Sequence, residues 1–241
     1  MPSGIFLTTK SGKLIRKSIP LTEAAVISLS KREAPSKGER TASRIREVAL
    51  DQFSRLGFER TSMAGIAEAA GVSQATLHYH FDDKDQLWRS AMLELAAVIA
   101  EEERLQAAAR DAAPLDQLRM AMRLFIELSW RHPALGRIVA LEGMAGGERL
   151  AWLNEHLLGS RNARLAKLAA RAIAAGRLKP FPPEQIVITL QAAAVGVINL
   201  APLMREVLGA DADTPAGRAA HEHLILDALL GGLVIDDKNE S

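Results

Sequence analysis

Cysteine is absent from this 241-residue sequence, and aromatic residues make up only 4% of it. The lack of cysteine excludes a disulfide scaffold, thiolate metal sites and a cysteine nucleophile. Because aromatic and β-branched residues are scarce while Ala and Leu recur, the composition favours helices over sheets. The 48% hydrophobic and 24% charged residues are typical of a globular protein that buries a core. We therefore expect an all-α cytoplasmic protein.

The net charge of +1 conceals an uneven distribution of charge along the chain. Residues 1–46 contain ten Lys and Arg against three Glu, which leaves −6 for the remaining 195 residues. A basic end on an acidic body is expected when one part of a protein meets a polyanion. A solvated basic tail is the alternative, and charge alone favours it.

Neither a secretory signal nor a membrane partner is predicted. The first thirty residues contain no uninterrupted apolar segment followed by a small-residue cleavage site. The segment 186–204 is nearly long enough to span a bilayer, but it contains Thr189, Gln191, Asn199 and Pro202. These polar residues favour a helix that is buried inside a bundle.

Helical periodicity begins after a basic arm at residues 1–38. Apolar residues recur at helical spacing from Ile45 to Leu56, and Gly57 is placed to end that helix. Ser or Thr residues that can cap a helix precede each of two short helices, near 63–70 and 74–80. Further helices are predicted at 82–109, 114–131, 134–144, 147–176 with a kink near Gly159, 183–208 and 215–235. No strand is predicted.

The stretch 63–81 has the pattern of a helix-turn-helix motif. Ala67 is small where the second helix must cross closely, Gly71 supplies a tight turn, and Leu77 can hold the two helices together. The second helix then presents outward its N-terminal half, the part that enters a major groove. The outward residues are Gln74, Ala75, Thr76 and His78. Amide, hydroxyl and methyl groups at these positions can read base edges.

The block from Arg44 to Leu87 resembles the DNA-binding domain of the TetR/AcrR family of bacterial transcriptional regulators. The matching pieces are Phe53-x-x-x-Gly57-Phe58, Thr61-Ser62, Ile66-Ala67, Ala70-Gly71-Val72-Ser73, Thr76 to Phe81 and Lys84-x-x-Leu87. Two positions depart from the family pattern, because Ala75 replaces a frequent Gly and His78 replaces a frequent Tyr. Both lie on the recognition helix, so we expect them to change which operator is read.

The resemblance also implies contacts with phosphates. It assigns these contacts to Thr61, Ser62, Tyr79 and Lys84, with Arg44 added from the first helix. Ser73 and His80, at the two ends of the recognition helix, complete the predicted DNA-binding set. Hydroxyl, phenol and ammonium groups near helix N-termini can hold phosphate oxygens. The alternative is that Thr61, Ser62 and Ser73 only cap helices and that Lys84 is simply solvated.

The remainder of the chain resembles the ligand-binding and dimerisation domain of the same family. Arg131-His132-Pro133, Glu142, Gly146, Arg149-Leu150 and Trp152-Leu153 are similar to a subgroup that includes a regulator of pyrimidine use. We do not extend a pyrimidine ligand to this chain, because the helix after Ile186 offers mainly Ala, Val, Gly and Ile. The candidate effector-binding residues are Phe125, Glu142, Trp152, His156, Gln191 and Asn199. The alternative for such residues at helical spacing is an ordinary core.

No metal site, cofactor or catalytic centre is predicted. His78 and His80, like His221 and His223, are two residues apart and point to different faces of a helix. The glycine-rich segment 143–147 lacks the Lys-Ser/Thr that follows a phosphate-binding loop. It is better explained as a turn between helices.

These observations predict three segments: a basic flexible arm (1–38), a helix-turn-helix domain (39–85) and a helical ligand-binding and dimerisation domain (86–236). We expect a homodimeric repressor that binds an inverted-repeat operator in double-stranded DNA and is released by a small-molecule effector. The dimer is expected to form through the helix 185–208 and the last helix. The alternatives are a ligand-independent architectural DNA-binding protein and, least favoured, a helical enzyme.

Overall fold

The computed structural model of the chain describes residues 6–8, 14–16, 36–105 and 112–235. Two three-residue strands, β1 (Phe6–Thr8) and β2 (Leu14–Arg16), pair in antiparallel fashion with Leu7 opposite Ile15. This strand pair is not among the sequence predictions. The predicted flexible arm (1–38) lies mostly outside the described residues. The described residues from Ala42 onward belong to one compact unit.

Helices make up almost all of the described chain from Lys37 onward, which confirms the all-α fold class. Their bounds are α1 (Lys37–Arg60), α2 (Met63–Ala69), α3 (Gln74–His80), α4 (Lys84–Leu105), α5 (Pro114–Arg131), α6 (Pro133–Ala145), α7 (Glu148–Leu153), α8 (Gly159–Ala174), α9 (Pro183–Asn199), α10 (Ala201–Leu208) and α11 (Pro215–His223). A π-helical segment, Asn154–Leu158, joins α7 to α8. Another, Leu224–Leu229, and a 3₁₀ turn, Gly231–Leu233, follow α11.

The helix ends follow the capping residues that the sequence supplies. Ser62 and Ser73 accept hydrogen bonds from backbone N–H groups in the first turns of α2 and α3. Pro114 and Pro133 open α5 and α6, where their missing N–H groups are not needed. Gly57 has a φ of 77° and breaks the helical conformation within α1. The helix ends predicted around the helix-turn-helix motif are therefore confirmed to within a few residues.

Three of the long predicted helices are divided in the structure. The one predicted over 215–235 is α-helical only to His223, before the π-helical segment and the 3₁₀ turn. The single helix predicted over 183–208 is wrong, because α9 and α10 meet at 62° with Leu200 between them. Pro202, in the first turn of α10, has no N–H to continue the hydrogen-bond ladder of α9. The helix predicted over 147–176 contains the π-helical segment immediately before Gly159. A Cβ at Gly159 would lie 2.7 Å from the carbonyl oxygen of Asn154, so the widened turn requires glycine there.

Two hydrophobic cores stabilise the unit. The first joins α1, α2 and α3 to α4 and to parts of α5, α6 and α7, around Phe53, Leu77 and Trp88. The second lies among α5, α8, α9 and the segment after α11, around Met122 and Leu190. We call α1–α3 the head and the described residues from Pro114 onward the bundle. The first core contains side chains of the head, of α4 and of parts of the bundle. The head therefore packs directly against both α4 and the bundle.

Among the described helices, no single one is long and apolar enough to cross a membrane. Only the bent pair α9 and α10, taken together, reaches the necessary length and apolar composition.

Candidate nucleic-acid interface

The turn between α2 and α3 has the geometry that the sequence predicts. Gly71 adopts a left-handed conformation, with a φ of 63°, and the N–H of Val72 donates to the carbonyl of Ala67 at 3.0 Å. Leu77 is fully buried and anchors α3 against the first core. The opposite face of α3 is consequently held outward on a rigid support.

That outward face carries a polar set with one exposed aromatic ring. Gln74, Ala75 and His78 are exposed, and 84% of Tyr79 is accessible to solvent. The half-buried His80 meets Tyr79 edge-on, with 5.1 Å between the ring centroids. An aromatic side chain so exposed contributes little to folding. Its phenol is instead available to an external hydrogen-bond acceptor such as a phosphate.

The two hydroxyl groups at the start of α3 contact each other. Ser73 Oγ accepts from the backbone N–H of Thr76 at 3.0 Å and lies 2.8 Å from Thr76 Oγ1. Ser73 is therefore a helix cap, and its hydroxyl also fixes the side chain of Thr76. A threonine held in this way presents a defined surface, whether methyl or hydroxyl, to a base edge.

The predicted phosphate-binding residues before α2 differ in accessibility. Ser62 is exposed, and its Oγ accepts from the N–H of Gly65 at 3.1 Å. Thr61 is only 2% exposed, and its hydroxyl donates to the carbonyl of Gly57 at 2.8 Å. Arg44 is exposed on α1. Ser62 and Arg44 are therefore open to a DNA backbone, whereas the Thr61 side chain is occupied in closing the end of α1.

Lys84 connects the start of α4 to the junction of α1 and α2. Its Nζ donates to the carbonyl oxygens of Phe58 at 2.9 Å and Thr61 at 3.0 Å. The same ammonium lies 4.3 Å from the centroid of the Phe58 ring. Because an ammonium has three N–H groups, one donor remains beyond these two carbonyl contacts. Lys84 thus has a structural role that the sequence analysis did not foresee.

The six candidate effector-binding residues fall into two groups. Glu142, Trp152 and His156 lie on α6, α7 and the π-helical segment, where the bundle meets the head and α4. Phe125, Gln191 and Asn199 lie on α5 and α9, two of the helices that form the second core. The structure therefore does not bring all six together.

Each member of the first group already has a partner. Glu142 is 4% exposed and accepts two hydrogen bonds from Arg149 Nε, at 3.1 and 3.0 Å. Trp152 stacks on His156 with 4.4 Å between centroids and meets Trp88 edge-on at 5.4 Å. His156 Nδ1 lies 2.9 Å from the Trp152 carbonyl. The ion pair joins α6 to α7, and the aromatic contact with Trp88 joins α7 to α4.

The second group includes one unpaired buried polar atom. Gln191 Nε2 donates to Asn162 Oδ1 at 3.1 Å, and Phe125 packs against the second core. Asn199 Oδ1 is buried and has no hydrogen-bond partner among the described residues. A buried acceptor of this kind carries a desolvation cost that a bound polar group would relieve.

A buried histidine lies close to this second group. His221 is 4% exposed, and its Nδ1 accepts from the indole N–H of Trp130 at 3.1 Å. Its buried Nε2 makes no well-aligned hydrogen bond with the described residues. Burial lowers the pKa of His221, outweighing the opposite influence of the Ala193 carbonyl. The side chain is therefore neutral in the folded bundle near pH 7.

Two open grooves mark the surface, and neither includes any of the six effector candidates. One, of about 830 Å³, runs between α1 and α2 and is lined in part by Gln52, Leu56 and Ser62. The other, of about 380 Å³, lies at the end of α8 beside Phe181 and three prolines. Among the described residues, no cluster of three or more His, Cys, Asp or Glu side chains is arranged to hold a metal ion.

Phe58 and Arg149, like Lys84, have roles that the sequence analysis missed. The Phe58 ring contacts Lys84 on α4 and Arg149 on α7, so both side chains converge on the end of α1. The sequence signals were the Gly57-Phe58 pair and an Arg directly after two glycines and Glu148. Neither signal states that the two segments meet.

Two family models match the chain. The model described as "Bacterial regulatory proteins, tetR family" matches residues 45–91. The model described as "Tetracyclin repressor-like, C-terminal domain" matches residues 114–229. The first covers most of the head and the start of α4, and the second covers most of the bundle.

Similar proteins include transcriptional regulators and a nucleoid occlusion factor. The HTH-type transcriptional regulator RutR of Escherichia coli K12 is 30% identical over 193 residues, covering 79% of this chain and 88% of RutR. The nucleoid occlusion factor SlmA of Vibrio campbellii is 29% identical over 167 residues, covering 64% and 80% of the two chains. The crystal structure of AibR with isovaleryl coenzyme A and operator DNA has a TM-score of 0.62 at 22% identity, covering 80% and 97%. The AibR likeness concerns the fold alone.

Proposed function

The chain belongs to the TetR family of bacterial transcriptional regulators, and from that membership we propose that it is a homodimeric repressor released from its operator by a small molecule. The carrying observation is the exposed polar face of α3, which the buried Leu77 and the left-handed Gly71 hold outward. A rigid helix with exposed amide, imidazole and phenol groups fits a major groove.

We assign distinct roles to the residues of this face. Gln74, Ala75, Thr76 and His78 read base edges, because they lie on the outward side of α3 near its N-terminus. The phosphate contacts come from a second set on both sides of the reading residues. That set is Arg44, Thr61, Ser62, Ser73, Tyr79, His80 and Lys84. Within that set, Thr61 contributes by positioning Ser62, since its hydroxyl donates to the Gly57 carbonyl and its N–H to the Phe58 carbonyl. Lys84 acts through its third N–H group.

A division of labour between three segments is part of the proposal. We propose residues 39–85 as the DNA-binding domain and residues 86–236 as the effector-binding and dimerisation domain, with residues 1–38 as a basic arm. Because DNA and effector meet in the bacterial cytoplasm, that is the proposed location. The function requires no catalytic step, and the relative RutR is named as a transcriptional regulator.

Dimerisation is proposed through α9, α10 and the last helical segment. Their exposed apolar side chains include Ile188 (59% exposed), Leu203 (53%) and Leu224 (50%). Ala194 and Ile225 are buried within the chain and stabilise the monomer fold, so the interface consists of the residues beside them. An apolar surface of this extent favours a two-fold contact with a second copy.

The effector site is proposed in the bundle. Asn199 supports this location, because its buried Oδ1 accepts no hydrogen bond from the part of the chain that the structure describes. Phe125 and Gln191 lie on neighbouring helices of the same bundle. A ligand there would act by linkage, since an effector that releases DNA must bind the DNA-free conformation more tightly.

A second candidate function is DNA binding without an effector. The relationship to SlmA favours it, since that relative is named for nucleoid occlusion and not for transcription. The two candidates differ in what they protect on DNA and in whether any small molecule causes release.

A gel-shift titration on the DNA upstream of the gene tests the proposal. We expect the wild-type chain to retard a fragment with an inverted repeat, and a Gln74→Ala, His78→Ala double variant to lose that preference over random DNA. Wild-type binding with no sequence preference would favour the second candidate. Absence of DNA binding by the wild-type chain would contradict both.

A further inference from the structure

Arg149 joins the bundle to the head through a set of contacts that DNA binding and effector binding alone do not require. We propose that Arg149 is a positioning residue: it fixes the end of α1, and with it the orientation of α2 and α3, relative to α6. The proposal rests on the proposed function, since it concerns how the bundle controls the DNA-reading face.

The first part of the link lies within the bundle. Arg149 stands in the first turn of α7, after Gly146 and Gly147, whose φ values are 70° and 85°. Its Nε donates to both carboxylate oxygens of Glu142, at 3.1 and 3.0 Å. Because Glu142 is 4% exposed, its charge requires this guanidinium as a partner. Arg149 therefore follows any movement of α6 at Glu142.

The second part of the link reaches the head. Arg149 Nη2 lies 3.3 Å from Glu59 Oε1, and its Cζ lies 4.0 Å from the centroid of the Phe58 ring. Glu59 is highly exposed, so its ion pair is weak. The contact with the half-buried Phe58 is better shielded from water, and a guanidinium over an aromatic face is attractive.

Phe58 carries the contact into the core of the head. Its ring stacks on the fully buried Phe53 at 5.7 Å and meets Trp88 of α4 edge-on at 6.5 Å. The carbonyl of Phe58 accepts from Lys84, which also holds the carbonyl of Thr61 just before α2. A displacement of Phe58 would therefore move the starting point of α2 and the helices that follow.

The arrangement has a regulatory consequence. A shift of α6 caused by an effector in the bundle would draw Arg149 with Glu142 and change its contact with Phe58. Gly146 and Gly147, between α6 and α7, have positive φ values that other residues rarely adopt. One guanidinium thus transmits the position of α6 to the DNA-reading face.

Amide hydrogen exchange of the full chain, without DNA, tests the coupling directly. In Arg149→Gln we expect amides of residues 58–77 to exchange about tenfold faster, while amides of α8 keep their wild-type rates. The matched control is Arg161→Gln, which removes an ion pair of a side chain that is equally exposed, at 25%, but contacts Glu103 and not the head. The control should leave exchange in residues 58–77 unchanged.

Two more variants separate positioning from general destabilisation. Glu142→Gln should accelerate the same amides, and the double variant Glu142→Gln, Arg149→Gln should be no faster than Arg149→Gln alone, because the two residues act as one unit. Arg149→Lys keeps the charge that Glu142 requires but not the paired geometry, so it should give an intermediate rate and remain measurable should Arg149→Gln fail to fold.

DNA binding provides the readout that a purely structural role would not alter. On a duplex selected by the wild-type chain from a random library, Arg149→Gln should bind several-fold more weakly with an unchanged salt dependence, because Arg149 is not among the proposed phosphate contacts. Unchanged exchange in residues 58–77, equal acceleration by Arg161→Gln, or a reduced salt dependence would overturn the proposal. Because exchange requires no DNA, the coupling result stands apart from whether the chain represses transcription.

Discussion

Replacing Lys84 with methionine tests the dual role that we assign to this side chain. Methionine keeps an unbranched apolar stem of similar length but removes the ammonium. The wild-type Nζ donates to two carbonyls, at 2.9 and 3.0 Å, and lies 4.3 Å from the Phe58 ring. Loss of the ammonium should therefore alter both folding stability and DNA affinity, by amounts that can be measured separately.

The stability effect can be worked from these contacts. A hydrogen bond to a charged group contributes about 1.5 kcal/mol at the low end of its usual range, so two of them amount to about 3 kcal/mol. We use the low end because Lys84 is only half-buried. For a chain of this size, about 3 kcal/mol lowers the melting temperature by roughly 6–12 °C. Lys167→Met, at an exposed position on α8, is the matched control and should leave the melting temperature unchanged.

The DNA effect has a different signature. If the third N–H group of Lys84 holds a phosphate, the slope of log affinity against log salt falls by about 0.9 for each contact, or about 1.8 in a dimer. Thermal denaturation and DNA titrations at several salt concentrations measure the two effects. An unchanged melting temperature would refute the structural role of the Lys84 ammonium. A lowered melting temperature with an unchanged salt slope would refute the phosphate contact.

The remaining predictions concern base reading, the dimer and pH. Gln74→Ala should weaken binding to the cognate operator by about 1–3 kcal/mol and relax the sequence preference at one base pair per half-site. A series of single-base substitutions in the operator measures this, and equal weakening on every sequence would contradict base reading. Ala192→Arg with Ala228→Arg places charges on two exposed positions within the proposed interface and should yield monomers or aggregates by light scattering. A stable DNA-binding dimer would contradict the assignment. Burial lowers the pKa of His221, so below about pH 6.5 the unfolded chain binds a proton there before the folded chain does. The free energy of unfolding should therefore fall with falling pH by at most about 1.4 kcal/mol per unit, and His221→Asn should reduce this slope; equal slopes in both proteins would show that His221 does not contribute.

Local signals in the sequence were sufficient for most of the head. Ser62, Gly71 and Ser73 have direct steric or hydrogen-bonding consequences, so the positions of α2 and α3 could be predicted from them. The division of the helix over 183–208 was harder to predict. Apolar periodicity continues through Pro202. The proline indicates a break in the hydrogen-bond ladder, but the sequence does not give the 62° angle at which α10 leaves α9.

The candidate sites differ in how much of their geometry could be predicted from the sequence. The outward face of α3 follows from helical spacing once Leu77 is placed inward. The contacts of Lys84, Glu142 and Arg149 depend on residues that are 7 to 90 positions apart in the chain. Charge alone could not assign their partners, because several acidic and basic side chains were available to each.

The most direct test of the account is selection of DNA by the purified full chain from a random duplex library, followed by footprinting of the selected sequence. We expect one inverted repeat whose half-sites are centred about one helical turn, or a small multiple of it, apart. Protection should be lost with the Gln74→Ala, His78→Ala double variant, while the melting temperature of that variant stays at the wild-type value. Uniform protection of any DNA, or selection of the same repeat by the double variant, would contradict the claim that α3 reads the operator.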